Sequence, residues 1–233
     1  MPDIRPVRIG ILVQRRAQIP NASRRRVDVA STAKRRGTGR TERGRQSRQQ
    51  LIDGARTIFE RDGFLRARIA DICDEAQTAY GSFYTYFVSK EEIFHEVVDS
   101  VEIDLLRLEP FPEDAKPIER IRAANRHYLE TYQRNAGILR VIMQVSTFDE
   151  SVSQTRILRQ DEFARAIERR TRIYQEQGIA DATLDPWLAA NALGGMVAFI
   201  AEKLVSGDSP LDIDDAVDQL TKLWSNAIQL QDP

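Results

Sequence analysis

The sequence predicts an all-α fold, and three observations carry that expectation. From about Ser47 onward, apolar residues recur at spacings of three and four rather than two. Side chains able to cap a helix, Ser89 and Asp185 among them, stand at the heads of apolar runs. The breaks between runs are short clusters such as "RNAG", "FDES" and "SGDSPLD", with no convincing strand among them. At 233 residues and 42% hydrophobic content, the chain is long enough for one large or two modest cores. No internal repeat is visible.

The first element, residues 1–46, is expected to be a flexible basic arm, since "RRR", "KRR" and "GTGRTERGR" show no sustained apolar period. Residues 1–48 hold 14 Lys/Arg and 3 Asp/Glu, a net +11, while the remainder holds 20 against 32, a net −12. The total of −1 therefore conceals a basic arm on an acidic body, and a polyanion is the natural partner for the arm. A phosphate-seeking or minor-groove arm, an ordinary solvated tail and a misplaced start site all remain open readings.

Leu51, Ala55, Ile58 and Phe59 form the stripe of a first helix that "RDG" ends at Gly63. Ile69, Ile72, Cys73 and Ala76 form a second, short stripe. "GSFYTYF" reads as a third helix. "SKEEIFHEVVDSVEIDLLRL" reads as a fourth, with Ser89 as cap and Glu92 three residues on completing a capping box. Beyond "EPFPEDAKP", five more helices are expected at about 117–134, 136–148, 154–177, 185–206 and 212–230. Pro186 sits in a first turn behind Asp185.

The third helix carries the sharpest functional signal. Advancing about 100° per residue from Tyr80 puts Phe83 near 300° and Phe87 near 340°, one buried stripe. Tyr84 near 40° and Tyr86 near 240° flank it, and Gly81, Ser82 and Thr85 occupy the slim opposite arc. Such a face suits the DNA major groove, about 12 Å wide, with tyrosine hydroxyls reaching phosphates on either wall. An amphipathic core helix with boundary tyrosines is the competing reading.

A short helix from Arg68 to Glu75, a tight "AQTA" connection and this helix have helix-turn-helix dimensions over about 68–87. Together with "FERDGF", "IADI" and "YGSFYTYFVSKEEIF", the stretch 47–95 resembles the TetR family of bacterial transcriptional regulators. The resemblance implies a three-helix DNA-binding domain at 47–95 and a helical effector-binding and dimerisation domain at 96–233. It also implies a dimer on a palindromic double-stranded DNA operator. The turn departs from the family's usual Ala-Gly-Val-Ser: it reads Ala76-Gln77-Thr78-Ala79, so a left-handed residue at 77 would be strained and Thr78 becomes the expected cap of the third helix. Ala67 and Arg68 stand where threonine caps usually precede the second helix.

The expected DNA-facing set is therefore Arg40, Arg43, Arg45 and Arg48 before the first helix; Arg68, Thr78 and Ala79 around the turn; Tyr80, Gly81, Ser82, Tyr84, Thr85 and Tyr86 on the third helix; and Lys90, which resembles the family's phosphate-contacting lysine. Residues 49–100 hold five basic and ten acidic side chains, so this unit needs the arm's charge to approach DNA.

In the family the C-terminal helices form a dimer seam and a ligand pocket. Ala190, Gly194 and Ala198 make a strip of small residues permitting close helix approach, and Leu220, Leu223, Trp224 and Ala227 line one side of the last helix. These are the expected seam, with packing on the chain's own core as the alternative. For the pocket the candidates are His127, Tyr128 and Tyr132, then Met143 and Phe148, then Phe163, Ile167, Trp187 and Asn191, joined by Asn125 and Tyr174. A largely apolar effector is implied; an ordinary helical core with boundary tyrosines fits the same residues. The arginines of "RILRQDEFARAIERRTR" read as a solvated face.

No phosphate loop, zinc-protease motif or nucleophile motif is present, and the lone Cys73 has no second thiol. We expect no catalysis, no cofactor, no metal and no membrane partner, because no apolar stretch stands out as a bilayer span. A cytoplasmic, ligand-responsive repressor is the expectation, and a helical ligand-binding or protein-interaction module that has kept the fold without binding DNA is the alternative.

Overall fold

The structure is a computed structural model, and it describes residues 42–107, 115–207 and 209–231. Among the described residues it contains nine α-helices and no strand: α1 (Glu42–Asp62), α2 (Ile69–Glu75), α3 (Tyr80–Tyr86), α4 (Lys90–Leu106), α5 (Pro117–Arg134), α6 (Ala136–Val145), α7 (Glu150–Glu176), α8 (Pro186–Ser206) and α9 (Ile213–Ala227). Arg40 and the rest of the arm before Glu42 lie outside the described residues.

The first helix starts at Glu42, five residues before the expected start at Ser47, so Arg43, Arg45 and Arg48 ride on a helix rather than on a coil. Glu42 pairs with Arg45 one turn on, an acid at the positive end of the helix. No apolar residue marks 42–50, which is why periodicity was silent there. Gly63, at φ +74°, ends the helix as expected.

Leu51, Ala55, Ile58 and Phe59 of α1, Ile72 and Cys73 of α2, Phe83 and Phe87 of α3, and Ile93, Phe94 and Val97 of α4 share one buried core. Phe59, Phe64 and Phe94 meet there, with the Phe59 and Phe94 rings edge to face at 5.0 Å. Gly54 lets α1 and α2 close up: a Cβ there would stand 3.1 Å from both the Cβ and the backbone nitrogen of Ala76. The core continues into α6 through Ile138 and Ile142 and reaches Val152 at the start of α7. Since α4 runs unbroken past residue 95, no loop marks the boundary expected between 95 and 96.

A second core joins Leu129 of α5, Val197 and Ala201 of α8, and Val217, Leu220 and Trp224 of α9. The caps follow sequence logic. Ser89 accepts from the Glu92 amide at 3.2 Å, Asp185 from Leu188 at 2.8 Å and Asp212 from Asp215 at 2.8 Å. Glu92 reaches back to the Val88 amide, one residue beyond a standard capping box. Asp149 accepts from the amides of Ser151 and Val152, which starts α7 at Glu150 instead of 154.

By length and composition α8 could cross a membrane, contrary to the expectation that no stretch would. Its Ala189, Ala190, Val197 and Ala201 are buried, and the helix packs against α5, α7 and α9.

Candidate nucleic-acid interface and effector cavity

The short α3 is held by Phe83 and Phe87, which are fully buried with ring centroids 5.7 Å apart. Burying each contributes about 1.5–3 kcal/mol, enough to fix seven residues that would not form a helix alone. Tyr80, Gly81, Tyr84 and Thr85 are exposed on the other side, Ser82 and Tyr86 are half-buried, and nothing lies within 4 Å of where a Gly81 Cβ would stand. The Tyr80 and Tyr84 hydroxyls lie 3.1 Å apart. That neighbouring hydroxyl, with some burial, holds the Tyr84 phenol above its ordinary value.

The turn differs from expectation at its cap. Thr78 does not cap α3: its hydroxyl donates to the Ala76 carbonyl at 3.0 Å, and Ala79, without a side-chain hydrogen bond, is the cap residue. Instead the end of α2 is closed, with Thr78 N–H donating to Cys73 at 2.9 Å and Gln77 N–H to Asp74 at 3.1 Å. This is a Schellman closure whose left-handed position, normally glycine, is Gln77 at φ +50°.

Of three expected phosphate-contacting cations, Lys90 and Arg48 are engaged within the protein, while Arg68 forms a surface pair with its side chain 76% exposed. Lys90 donates to the carbonyls of Phe64 at 2.8 Å and Ala67 at 3.0 Å and lies 4.7 Å from the Phe64 ring centroid. It therefore ties the α1–α2 connection to α4 instead of facing solvent. Arg48 pairs with Glu96 at 2.7 Å and stacks over Phe87. Arg68 forms two 2.8 Å bonds with Asp71, and its guanidinium holds the Asp71 carboxyl below the usual carboxylate range. Arg43 is exposed on the first turns of α1, and Arg45 is exposed beside Glu42.

Between α5, α7, α8 and α9 lies a cavity of about 570 Å³. Of the expected pocket residues, Asn125, Tyr128, Phe163, Ile167 and Tyr174 line it. His127 does not: it bonds the Asp104 carbonyl at 2.7 Å and so joins α5 to α4. Tyr132 stacks on Tyr128 behind the wall. Met143, Phe148, Trp187 and Asn191 are exposed on the surface away from the lining. Arg169 and Arg170 are exposed, as the sequence placed them, and with Arg120 they also line the cavity. On α7, Arg170 stands three residues from Ile167 and four from Tyr174, and that spacing was the available signal.

Several residues of the expected dimer seam pack within the chain. Ala190 is buried, Gly194 lines the cavity opposite Ile167, and Leu220 and Trp224 belong to the second core. Thus these seam residues serve the chain's own packing; Ala198 is half-buried, and Leu223 and Ala227 are exposed. The outer side of α8 instead presents Leu188, Ala192, Gly195 and Phe199, all exposed at spacings of three and four.

His95 meets the Ser151 hydroxyl at 3.0 Å, but that hydroxyl donates to Asp149 at 2.6 Å. The carboxylate is on the serine, not on the histidine, so the cluster is a helix cap and lacks the order of a hydrolytic triad. Among the described residues no group of three or more His, Cys, Asp or Glu is placed to hold a metal.

Residues 51–97 match the family model described as bacterial regulatory proteins, tetR family. Two uncharacterized HTH-type transcriptional regulators of Bacillus subtilis are similar: YfiR, 31% identical over 61 residues, and YdgC, 39% identical over 56. These matches span 26% and 24% of this chain but only 30% and 29% of the relatives' own lengths. Among solved structures, a putative fatty acid metabolism regulator of Clostridium perfringens superposes with a TM-score of 0.61 at 21% identity, covering 78% of this chain and 100% of that one. Salmonella enterica GusR gives 0.66 at 16% identity over 82% and 100%. The flavonoid-responsive regulator FrrA gives 0.62 at 23% over 79% and 97%. Residues 51–97 therefore match the tetR-family model, with the helix-turn-helix at α2 and α3, and the chain shares the all-helical fold of these solved regulators.

Proposed function

We propose that the protein is a DNA-binding transcriptional regulator that acts in the cytoplasm as a dimer and leaves a palindromic operator when a small molecule enters the cavity. The observation that carries this reading is the division of α3. Its two phenylalanines are buried, and Tyr80, Gly81, Tyr84 and Thr85 form an exposed face slim enough for a major groove. Arg43 and Arg45 supply charge before it, and the arm ahead of Glu42 supplies the rest.

The exposed Leu188, Ala192, Gly195 and Phe199 of α8, with Leu223 and Ala227 of α9, support a two-fold contact between copies. A dimer would set two α3 helices in successive major grooves, about 34–36 Å apart. Ligand would act by favouring a spacing that no longer matches, which requires different affinity for the two states. Contacts from α4 to both ends suit that coupling: Lys90 grips the α1–α2 connection, while Asp104 meets His127 of α5.

A gel shift of the full chain on DNA flanking its own gene tests the reading, with a retarded band that weakens steeply with salt as the expected result. The internal engagement of Arg48 and Lys90 favours one other reading, a ligand-binding module of this fold that does not bind DNA. Absence of retardation on every upstream fragment would decide for that reading.

A further inference from the structure

We propose that the cavity takes an amphipathic organic anion, with a carboxylate or phosphate head at Arg120, Arg169 and Arg170 and an apolar body against Phe163, Ile167, Val197, Trp224 and Ile228. This rests on reading the cavity as the effector site. The regulators of similar fold bear names pointing to different ligands, so this chain's own lining must decide.

Charge is the first ground. Among the described residues the lining includes three arginines and no acidic residue, in a body that carries a net −12 beyond residue 48. Elsewhere on α7, Arg156 has Glu102, Arg159 has Glu162 and Arg172 has Glu168. Arg169 and Arg170 have no ion pair among the described residues. Arg120 is oriented by a 3.0 Å bond to the Ala115 carbonyl. Burial pushes the Tyr174 phenol up while Arg170 and Arg120 pull it down, so both guanidiniums act electrostatically on that wall residue. Arg169 and Arg170, left without carboxylates beside a concave site, attract an anion, and arginine suits the two oxygens of a carboxylate or phosphate.

The neutral polar groups of the wall decide the rest of the ligand. The Asn125 amide donates to Thr221 at 3.3 Å, and the Thr171 hydroxyl donates to Ile167 at 3.0 Å. Against the apolar side chains of the wall, an apolar body needs no polar partner. The indole N–H of Trp224 is buried without an acceptor, so an oxygen brought in near that wall would gain a bond. At about 570 Å³ the cavity falls within the roughly 300–1,000 Å³ of small-molecule sites.

Isothermal titration of the full chain with decanoate, decyl phosphate and the neutral 1-decanol tests this without DNA. At least one anion should bind about tenfold or more tightly than the alcohol, and the tighter anion identifies the head group. Arg169→Gln/Arg170→Gln should weaken that anion by about tenfold and leave decanol unchanged, while Ala166→Phe, which fills the space, should weaken all three. Equal binding of anion and alcohol would overturn the proposal, as would an unchanged anion affinity in the double variant or no binding of either anion. A negative gel shift would sink the DNA-binding reading and leave these titrations standing.

Discussion

Arg156 of α7 meets Glu102 of α4 at 3.3 Å, and the Glu102 side chain it faces is only 3% exposed. Burial pushes the Glu102 carboxyl above its ordinary value near 4.5, and Arg156 pulls it part of the way back. With the arginine removed, a buried charge is left uncompensated. Arg156→Met should therefore cost about 3–5 kcal/mol at neutral pH. The sign with pH follows: the folded state holds a proton on Glu102 that the unfolded state has lost, so stability falls as pH rises through that interval. The deficit of Arg156→Met should be smallest near the ordinary glutamate value and grow upward. Urea denaturation at several pH values checks it, and Glu102→Gln/Arg156→Met should recover most of the loss.

Lys90 offers a contrast between two roles. If its ammonium holds the Phe64 and Ala67 carbonyls, Lys90→Met should lower stability by about 1.5–3 kcal/mol. The salt dependence of DNA binding, measured as the slope of log K against log salt, should stay the same. A slope reduced by about one with unaltered stability would return Lys90 to a phosphate.

How far the sequence could be read depended on distance along the chain. The α5 bounds, the caps at Ser89 and Asp185, the end at Gly63 and the burial of Phe83 and Phe87 are all local, set within a turn or two, and all were legible. Gln77 takes the left-handed position that the sequence marked only as strained. What escaped was the partner of each charge. Arg48 meets Glu96 and Lys90 meets Phe64, pairings that a residue's own neighbours do not encode. Likewise, the strip of Ala190 and Gly194 announced a close approach without saying to what, and it packs inward on the chain's own helices. Arg169 and Arg170 read as solvated charges and are exposed, but the cavity that they also line exists only once α5, α8 and α9 close against α7.

Gln77 holds the left-handed turn position at φ +50°, where a side chain carries a penalty of about 1–2 kcal/mol that glycine does not. Gln77→Gly should stabilise the protein by about 1 kcal/mol after glycine's extra unfolded-state entropy is set against the strain. Gln77→Val should destabilise it. Thermal unfolding of the three proteins gives the order, and a destabilised glycine variant would show that Gln77 is held there by a contact worth more than its strain.

The Tyr80 and Tyr84 hydroxyls, 3.1 Å apart on the exposed side of α3, separate positioning from reading. A phenol that reaches phosphate senses the backbone alone, so Tyr84→Phe should weaken binding to the operator and to every single-base variant of it by one common factor. Thr85 is exposed and Ser82 half-buried on the slimmer part of the helix, where approach to base edges is closest. Replacing Ser82 or Thr85 by Ala should then change the ranking among operator variants. A binding series over such variants distinguishes the two behaviours. Should Tyr84→Phe reorder the variants while Thr85→Ala lowers them all alike, the base-reading side of α3 would be the tyrosine side, and the helix would sit in its groove rotated toward Tyr80.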